Sequence, residues 1–261
     1  MPAAKQNFRI DDLWVNVYDS DAELAKDAAA IASEYLSDVI KQQGMARVLL
    51  ATGNSQLKFL DALISLGNLD WSKITCFHLD EYLGISGEHP GSFRRYLREK
   101  VEKRVNPDKF HYIEGDTLEP LAECVRYSQL LQLKSIDLCL LGIGDNGHLA
   151  FNDPAVANFQ DTHYVKLVKL DEINRQQQLN SGDFTSLENV PQYAFTVTIP
   201  MICQAKKIIC LAPGKRKAEI IQQMLQGAIT SNCPASILRN TAQTTLFLDA
   251  DSSSLSRFTE N

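Results

Sequence analysis

The chain is short of the features that would commit it to several large classes of protein. No apolar run approaches the length of a membrane span, and residues 1–12 are polar, without the apolar centre of a secretion signal. No block of Lys and Arg appears: 26 basic against 32 acidic residues leave a formal net charge of −6. That balance argues against a nucleic-acid partner, and any anionic ligand must be gripped locally. Cys-x-x-Cys spacing is absent, and Cys76, Cys124, Cys139, Cys203, Cys210 and Cys233 are scattered, mostly inside apolar segments. They read as thiols of a reducing compartment, neither zinc ligands nor a disulfide framework. Repeats, low-complexity tracts and linkers are also missing. The expectation is a cytoplasmic protein with no metal, no membrane and no nucleic acid among its partners.

What the chain does have is length and apolar content, 261 residues of which 44% are hydrophobic, enough for one large core. Strand-like runs at 14–18, 47–51, 74–79, 110–113, 136–141, 164–170, 193–199, 207–212 and 244–248 alternate with helix-like stretches. The first of these stretches opens on Asp19-Ser20-Asp21 as an N-cap and runs, rich in alanine, to Gly44 as a C-cap. Others lie at 57–66, 93–105, 118–133, from 171, and at 215–225. Strands separated by helical crossovers predict an α/β fold, a mainly parallel sheet with helices on both faces. A single domain is expected over residues 13–250, with an N-terminal extension at 1–12 and a loose tail at 251–261.

Four strand ends carry residues with chemistry. After 136–141 comes Gly142-Ile143-Gly144-Asp145-Asn146-Gly147-His148, three glycines in six positions and then one histidine beside side chains able to hold it. Open α/β sheets bind ligands just beyond the carboxyl ends of their strands, although a glycine-rich turn with an incidental histidine is the plainer alternative. Thr52-Gly53-Asn54-Ser55 opens a helix and offers N–H groups and hydroxyls to an anion; it lacks both the Gly-Lys-Ser/Thr end of a nucleotide P-loop and the dinucleotide glycine pattern. Pro213-Gly214-Lys215-Arg216-Lys217 puts cations at a helix start, where they oppose the helix dipole. A bound phosphate would account for them, as would simple solvation. Asp80-Glu81 ends the strand at 74–79, and adjacent residues of an extended segment face opposite ways. A turn or cap is the ordinary role for such a pair, yet with His148 it supplies a carboxylate base and an imidazole acid/base suited to moving protons about a sugar carbonyl.

Phe77-His78-Leu79-Asp80-Glu81-Tyr82-Leu83-Gly84 followed by His89-Pro90-x-Ser92, and Gly142-Ile143-Gly144-x-Asn146-Gly147-His148-Leu149-Ala150-Phe151-Asn152-Asp153-Pro154, resemble the two signature segments of the glucosamine-6-phosphate deaminases (isomerases). The resemblance continues through Val190-Pro191-x-Tyr193-Ala194-x-Thr196-Val197 and Gly214-x-x-Lys217-Ala218, and spans most of the chain. It implies a Rossmann-like fold and conversion of glucosamine 6-phosphate to fructose 6-phosphate and ammonia, without metal or organic cofactor. It makes Asp80 the base that moves a proton between C2 and C1, and His148 the ring-opening acid/base, with Asn146 and Asp153 beside it. Thr52, Gly53, Asn54, Ser55 and Lys217 fall where the family holds the sugar phosphate, and Glu81, Gly144 and Gly147 complete the expected substrate site. Two departures stand out: many members have Asp at the place of Asn146 and Glu at that of Asp153. The family's phosphate-binding arginine after Asp171-Glu172 has no counterpart in register; Gln178 or Asn180 falls near its place, and Arg175, one helical turn earlier, substitutes for it only with the helix repositioned. A galactosamine 6-phosphate deaminase, a 6-phosphogluconolactonase and a non-catalytic sugar-phosphate sensor are the alternatives. Assembly into a homo-oligomer stays open.

Overall fold

A computed structural model of the protein describes residues 4–256. Its strands are β1 (Gln6–Ile10), β2 (Leu13–Tyr18), β3 (Ala46–Leu50), β4 (Ile74–His78), β5 (Asp80–Tyr82), β6 (Lys109–His111), β7 (Leu138–Gly142), β8 (Val165–Lys169), β9 (Tyr193–Val197), β10 (Lys207–Leu211) and β11 (Thr244–Asp249). Its α-helices are α1 (Asp21–Gln43), α2 (Asn54–Ser65), α3 (Phe93–Leu97), α4 (Lys103–Val105), α5 (Pro120–Gln132), α6 (Glu172–Asn180), α7 (Ile199–Cys203) and α8 (Ala218–Gln226). A π-helical turn, Arg98–Glu102, joins α3 to α4.

Eight strands form one sheet in the order β1-β2-β11-β10-β7-β3-β4-β6, parallel at every pairing except that of β1 with β2. The alternation of side chains sorts the core into two layers. Val48, Leu50, Leu138, Leu140, Ile209 and Leu211 pack with α1 and α2, whereas Leu49, Cys139, Leu141, Ile208 and Cys210 pack on the other face with residues of α5, α7 and α8. Both faces are covered, which is why these strands read as unbroken apolar runs. Helix α1 begins where Ser20 accepts from the Glu23 N–H and stops where Gly44, at φ 84°, donates to the Ile40 carbonyl.

The order of strands reverses direction between β3 and β7. From β3 the chain builds outward through β4 to β6; from β7 the sheet extends the other way through β10 and β11. A crevice opens at such a switch point, beyond the carboxyl ends of the strands, and the loops after β3, β4, β7 and β10 all lead into it.

Two of the expected strands belong elsewhere. β8 and β9 do not join the parallel sheet; with β5 they make a separate three-stranded antiparallel sheet in the order β5-β9-β8, with Asp80 opposite Thr196 and Lys166 opposite Thr196 on the other side. Leu79 joins the two sheets: its N–H donates to the Leu50 carbonyl, and its carbonyl accepts from the Val197 N–H. The polar N-terminal stretch contributes β1, which pairs with β2 from Gln6 opposite Val17 to Ile10 opposite Leu13. At the other end, Ser252 is buried and hydrogen-bonded to Asp249; residues 257–261 of the expected tail, like residues 1–3, lie outside the described ones.

Candidate active site

A cavity of about 300 Å³ occupies the crevice. Asp80, Thr52, Gly53, Asn54, Ser55, Gly144, His148 and Lys217 all line it, so most of the residues singled out in the sequence meet in one place.

Asp80 stands at the joint between the sheets, and the period-2 alternation of an extended chain sends it and Glu81 to opposite sides, as their adjacency predicts. Glu81 does not reach the cavity, which corrects its expected contact with substrate. It is fully buried, and its carboxylate accepts from Ser92 Oγ at 2.7 Å and from the N–H groups of Tyr82, Phe93 and Arg94 at 2.9, 3.2 and 2.9 Å. It therefore fastens the start of α3. None of these donors reaches Asp80. Burial, and then the charge of Glu81, push the Asp80 carboxyl well above the usual carboxylate range; burial raises Glu81 too, but its hydrogen bonds restrain the rise.

His148 owes its placement to the glycine before it. A Cβ on Gly144 would lie 2.0–2.2 Å from three atoms of the imidazole, so only glycine lets the ring lie against the loop. Gly147 does not line the cavity; at φ 83° it makes the turn that returns the chain, packed on Ile220 and Cys233. The ring Nδ1 is 2.7 Å from Asn146 Oδ1 and 3.2 Å from Asp153 Oδ1. The Asn146 amide nitrogen donates to Asp153 Oδ1 at 3.1 Å and to Asp171 Oδ2 at 2.7 Å. With its nitrogen committed to two carboxylates, its oxygen must face the imidazole, where it also accepts the backbone N–H of His148. An oxygen can only accept, so Nδ1 carries a proton and, in the neutral ring, Nε2 holds the lone pair. Burial pushes the Asp153 carboxyl up, but hydrogen bonds and charge from His148 and the amides of Asn146 and Asn174 outweigh it, and the carboxyl is held below its ordinary range.

In the same cavity Gly53, at φ 95°, turns the chain into α2 and presents the helix N-terminus with Thr52, Asn54 and Ser55 around it. Gly214, at φ 94°, does the same before a short 3₁₀ turn that delivers Lys217. The Lys217 ammonium is buried and sits 2.5 Å from Asp145 Oδ1. Burial lowers its pKa, and Asp145 partly restores it.

Arg175 does not line the cavity. Its guanidinium is turned away onto the carbonyls of Leu187, at 2.5 Å, and Val190, at 3.0 Å, where it braces the chain after α6. The cavity wall contributed by α6 carries Gln177 and Gln178 instead. Arg216, half-exposed and 3.9 Å from Asp145, lines the cavity as well. It is legible in the basic run at the helix start, and Phe151 in the signature segment after β7; Gln177 and Phe93 have no local signal, because each comes from an element whose position depends on the antiparallel sheet.

A doubly wound sheet whose crevice gathers a carboxylate, an oriented imidazole, a helix N-terminus and nearby cations has the groups of an acid–base enzyme for a small phosphorylated substrate. The family model described as glucosamine-6-phosphate isomerases/6-phosphogluconolactonase matches residues 19–247, and the chain belongs to that family. It is 38% identical over 241 residues to a glucosamine-6-phosphate deaminase of Clostridium acetobutylicum, covering 90% of this chain and 95% of that one. It is 35% identical over 233 residues to the corresponding protein of an Exiguobacterium species, covering 89% of each. A solved structure of a monomeric glucosamine-6-phosphate deaminase superimposes with a TM-score of 0.85 at 34% identity, over 92% of this chain and 99% of the other.

Proposed function

We propose that the protein is a glucosamine-6-phosphate deaminase, turning glucosamine 6-phosphate and water into fructose 6-phosphate and ammonia. The observation that carries this reading is Asp80, a buried carboxylate of raised pKa facing the same cavity as the free Nε2 of His148. A base poised toward neutrality is what removal of a proton beside a carbonyl calls for. The phosphate lies against the start of α2 with Lys217 and Arg216, which sets the sugar across the cavity toward the two acid–base groups. His148 Nε2 takes the proton of the anomeric hydroxyl and a proton is returned to the ring oxygen, which opens the ring. Asp80 then takes the C2 proton and delivers it to C1 while one amine proton passes to O1, leaving a hydroxyl at C1 and an imine at C2. Water adds there and ammonia departs. Free cysteines, five of the six buried, support a cytoplasmic setting.

The test is release of ammonia from glucosamine 6-phosphate, run beside galactosamine 6-phosphate and 6-phosphogluconolactone. Ammonia from the first substrate is expected. Ammonia only from the galactosamine ester would move the assignment to its deaminase, and lactone hydrolysis without deamination would overturn it.

A further inference from the structure

Helix α6 reaches the catalytic histidine through a chain of side chains that the proposed reaction does not itself call for. Asp171, the N-cap of α6, has two bonded oxygens: Oδ1 accepts the Asn174 N–H at 2.7 Å, and Oδ2 accepts the Asn146 amide at 2.7 Å, the shorter of the two bonds that amide donates. The Asp171 N–H donates in turn to Asp153 Oδ2 at 3.2 Å. Buried Asn174 donates its own amide to Asp153 Oδ1 at 2.9 Å and accepts from Gln178, which lines the cavity, at 3.3 Å. Two carboxylates, Asp153 and Asp171, thus flank one neutral amide, and that amide faces one imidazole.

Resting on the proposed deaminase chemistry, we infer that Asp171 is a positioning residue for His148. By holding the Asn146 nitrogen it forbids the amide to flip, keeps the ring proton on Nδ1 and leaves Nε2 as the base; through Asn174 and Gln178 it ties that orientation to the α6 wall of the cavity. The same geometry explains why position 146 carries an amide. An aspartate there would set a third carboxylate against Asp153 and Asp171 with no donor between them, and like charges at hydrogen-bond distance cannot all stay ionised. The amide at 146 and the carboxylate at 171 are a complementary pair.

Asp171→Ser keeps an oxygen to cap Asn174 but removes the acceptor for Asn146. Its kcat should fall about 10- to 100-fold, the usual loss when a group that orients an essential imidazole is removed, with KM changed less than about 2-fold. Asn146→Asp alone should lose about as much, and Asn146→Asp/Asp171→Asn, which exchanges the amide and the carboxylate, should recover most of it. A purely structural cap would not be rescued by that exchange. The ring nitrogens of His148, observed by ¹⁵N NMR at alkaline pH in the ligand-free protein, should show the proton on Nδ1 in the native chain and a mixture of tautomers in Asp171→Ser. An unchanged tautomer together with native kcat in Asp171→Ser, or an exchange that fails to rescue, overturns the inference. The NMR reading needs no substrate, so a native protein inactive on glucosamine 6-phosphate would sink the functional reading while the tautomer still decides the role of Asp171.

Discussion

Asp80, the base of the proposed reaction, is held in a state that lowers stability. Its folded pKa lies above its unfolded value, so between the two the folded chain binds more protons, and stability is lost as pH rises through that window. Asp80→Asn cannot ionise and escapes the loss. At pH 8 the variant should melt higher than the native protein, by about 2–4 °C per kcal/mol recovered for a chain of this size, and the difference should vanish near pH 4. Its kcat should fall about 10²- to 10⁴-fold, and in the native enzyme kcat should rise with pH as Asp80 ionises. A variant both active and no more stable would remove Asp80 from the mechanism. Gly144→Ala makes the complementary case: a methyl 2.0–2.2 Å from the imidazole must displace the ring, and a shift of about 1 Å can cost on the order of 10²-fold in rate while circular dichroism stays native. Lys217→Ala should raise KM about 10- to 100-fold, since a charge-assisted contact is worth roughly 1.5–3 kcal/mol. Arg175→Ala, which loses only bonds to carbonyls of the chain after α6, should raise KM much less.

At the scale of elements, the chain that follows α6 is anchored by Phe184 as well as by Arg175. Buried Phe184 stacks on His89, meets Tyr82 edge-on with centroids 5.5 Å apart, and lies so close to Gly91 that a Cβ there would come within 2.5 Å of the ring. Phe184→Ala should speed amide hydrogen exchange across 172–190 and raise KM, leaving the amides of β3 and β7 protected; equal acceleration in β3 would mean that the segment is not a separate unit. This region also marks where the sequence stops being readable. The strands β3, β4, β7 and β10 are buried on both faces, and an apolar run records that directly. β9 has a similar apolar run, yet it pairs with the three-residue Asp80–Tyr82 on one side and with β8 on the other, a pairing set by tertiary position and carried by no periodicity. The residues of the site divide the same way. His148, Asp80 and the two glycine-led cradles follow from strand ends; the inward seal of Glu81 depends on where α3 begins, and the outward turn of Arg175 depends on carbonyls 12 and 15 residues further along.

For the molecule as a whole, the backbone of Leu79 bridges the two sheets, with its N–H bonded to one and its carbonyl to the other. The fold can therefore absorb changes of residue type here far more readily than changes of chain length. One residue added between Leu79 and Asp80 would rotate the alternation by half a period, placing the inserted side chain in the cavity and the carboxylate of Asp80 where Glu81 is now sealed. The same addition after Lys134, in the exposed turn between α5 and β7, shifts nothing near the crevice. We expect a protein with alanine inserted after Leu79 to lose activity entirely, and one with it inserted after Lys134 to keep native kinetics. Along a lineage, then, this joint would admit substitution while refusing insertion and deletion, and the spacing from the start of β4 to Asp80 would outlast most of the residues that fill it.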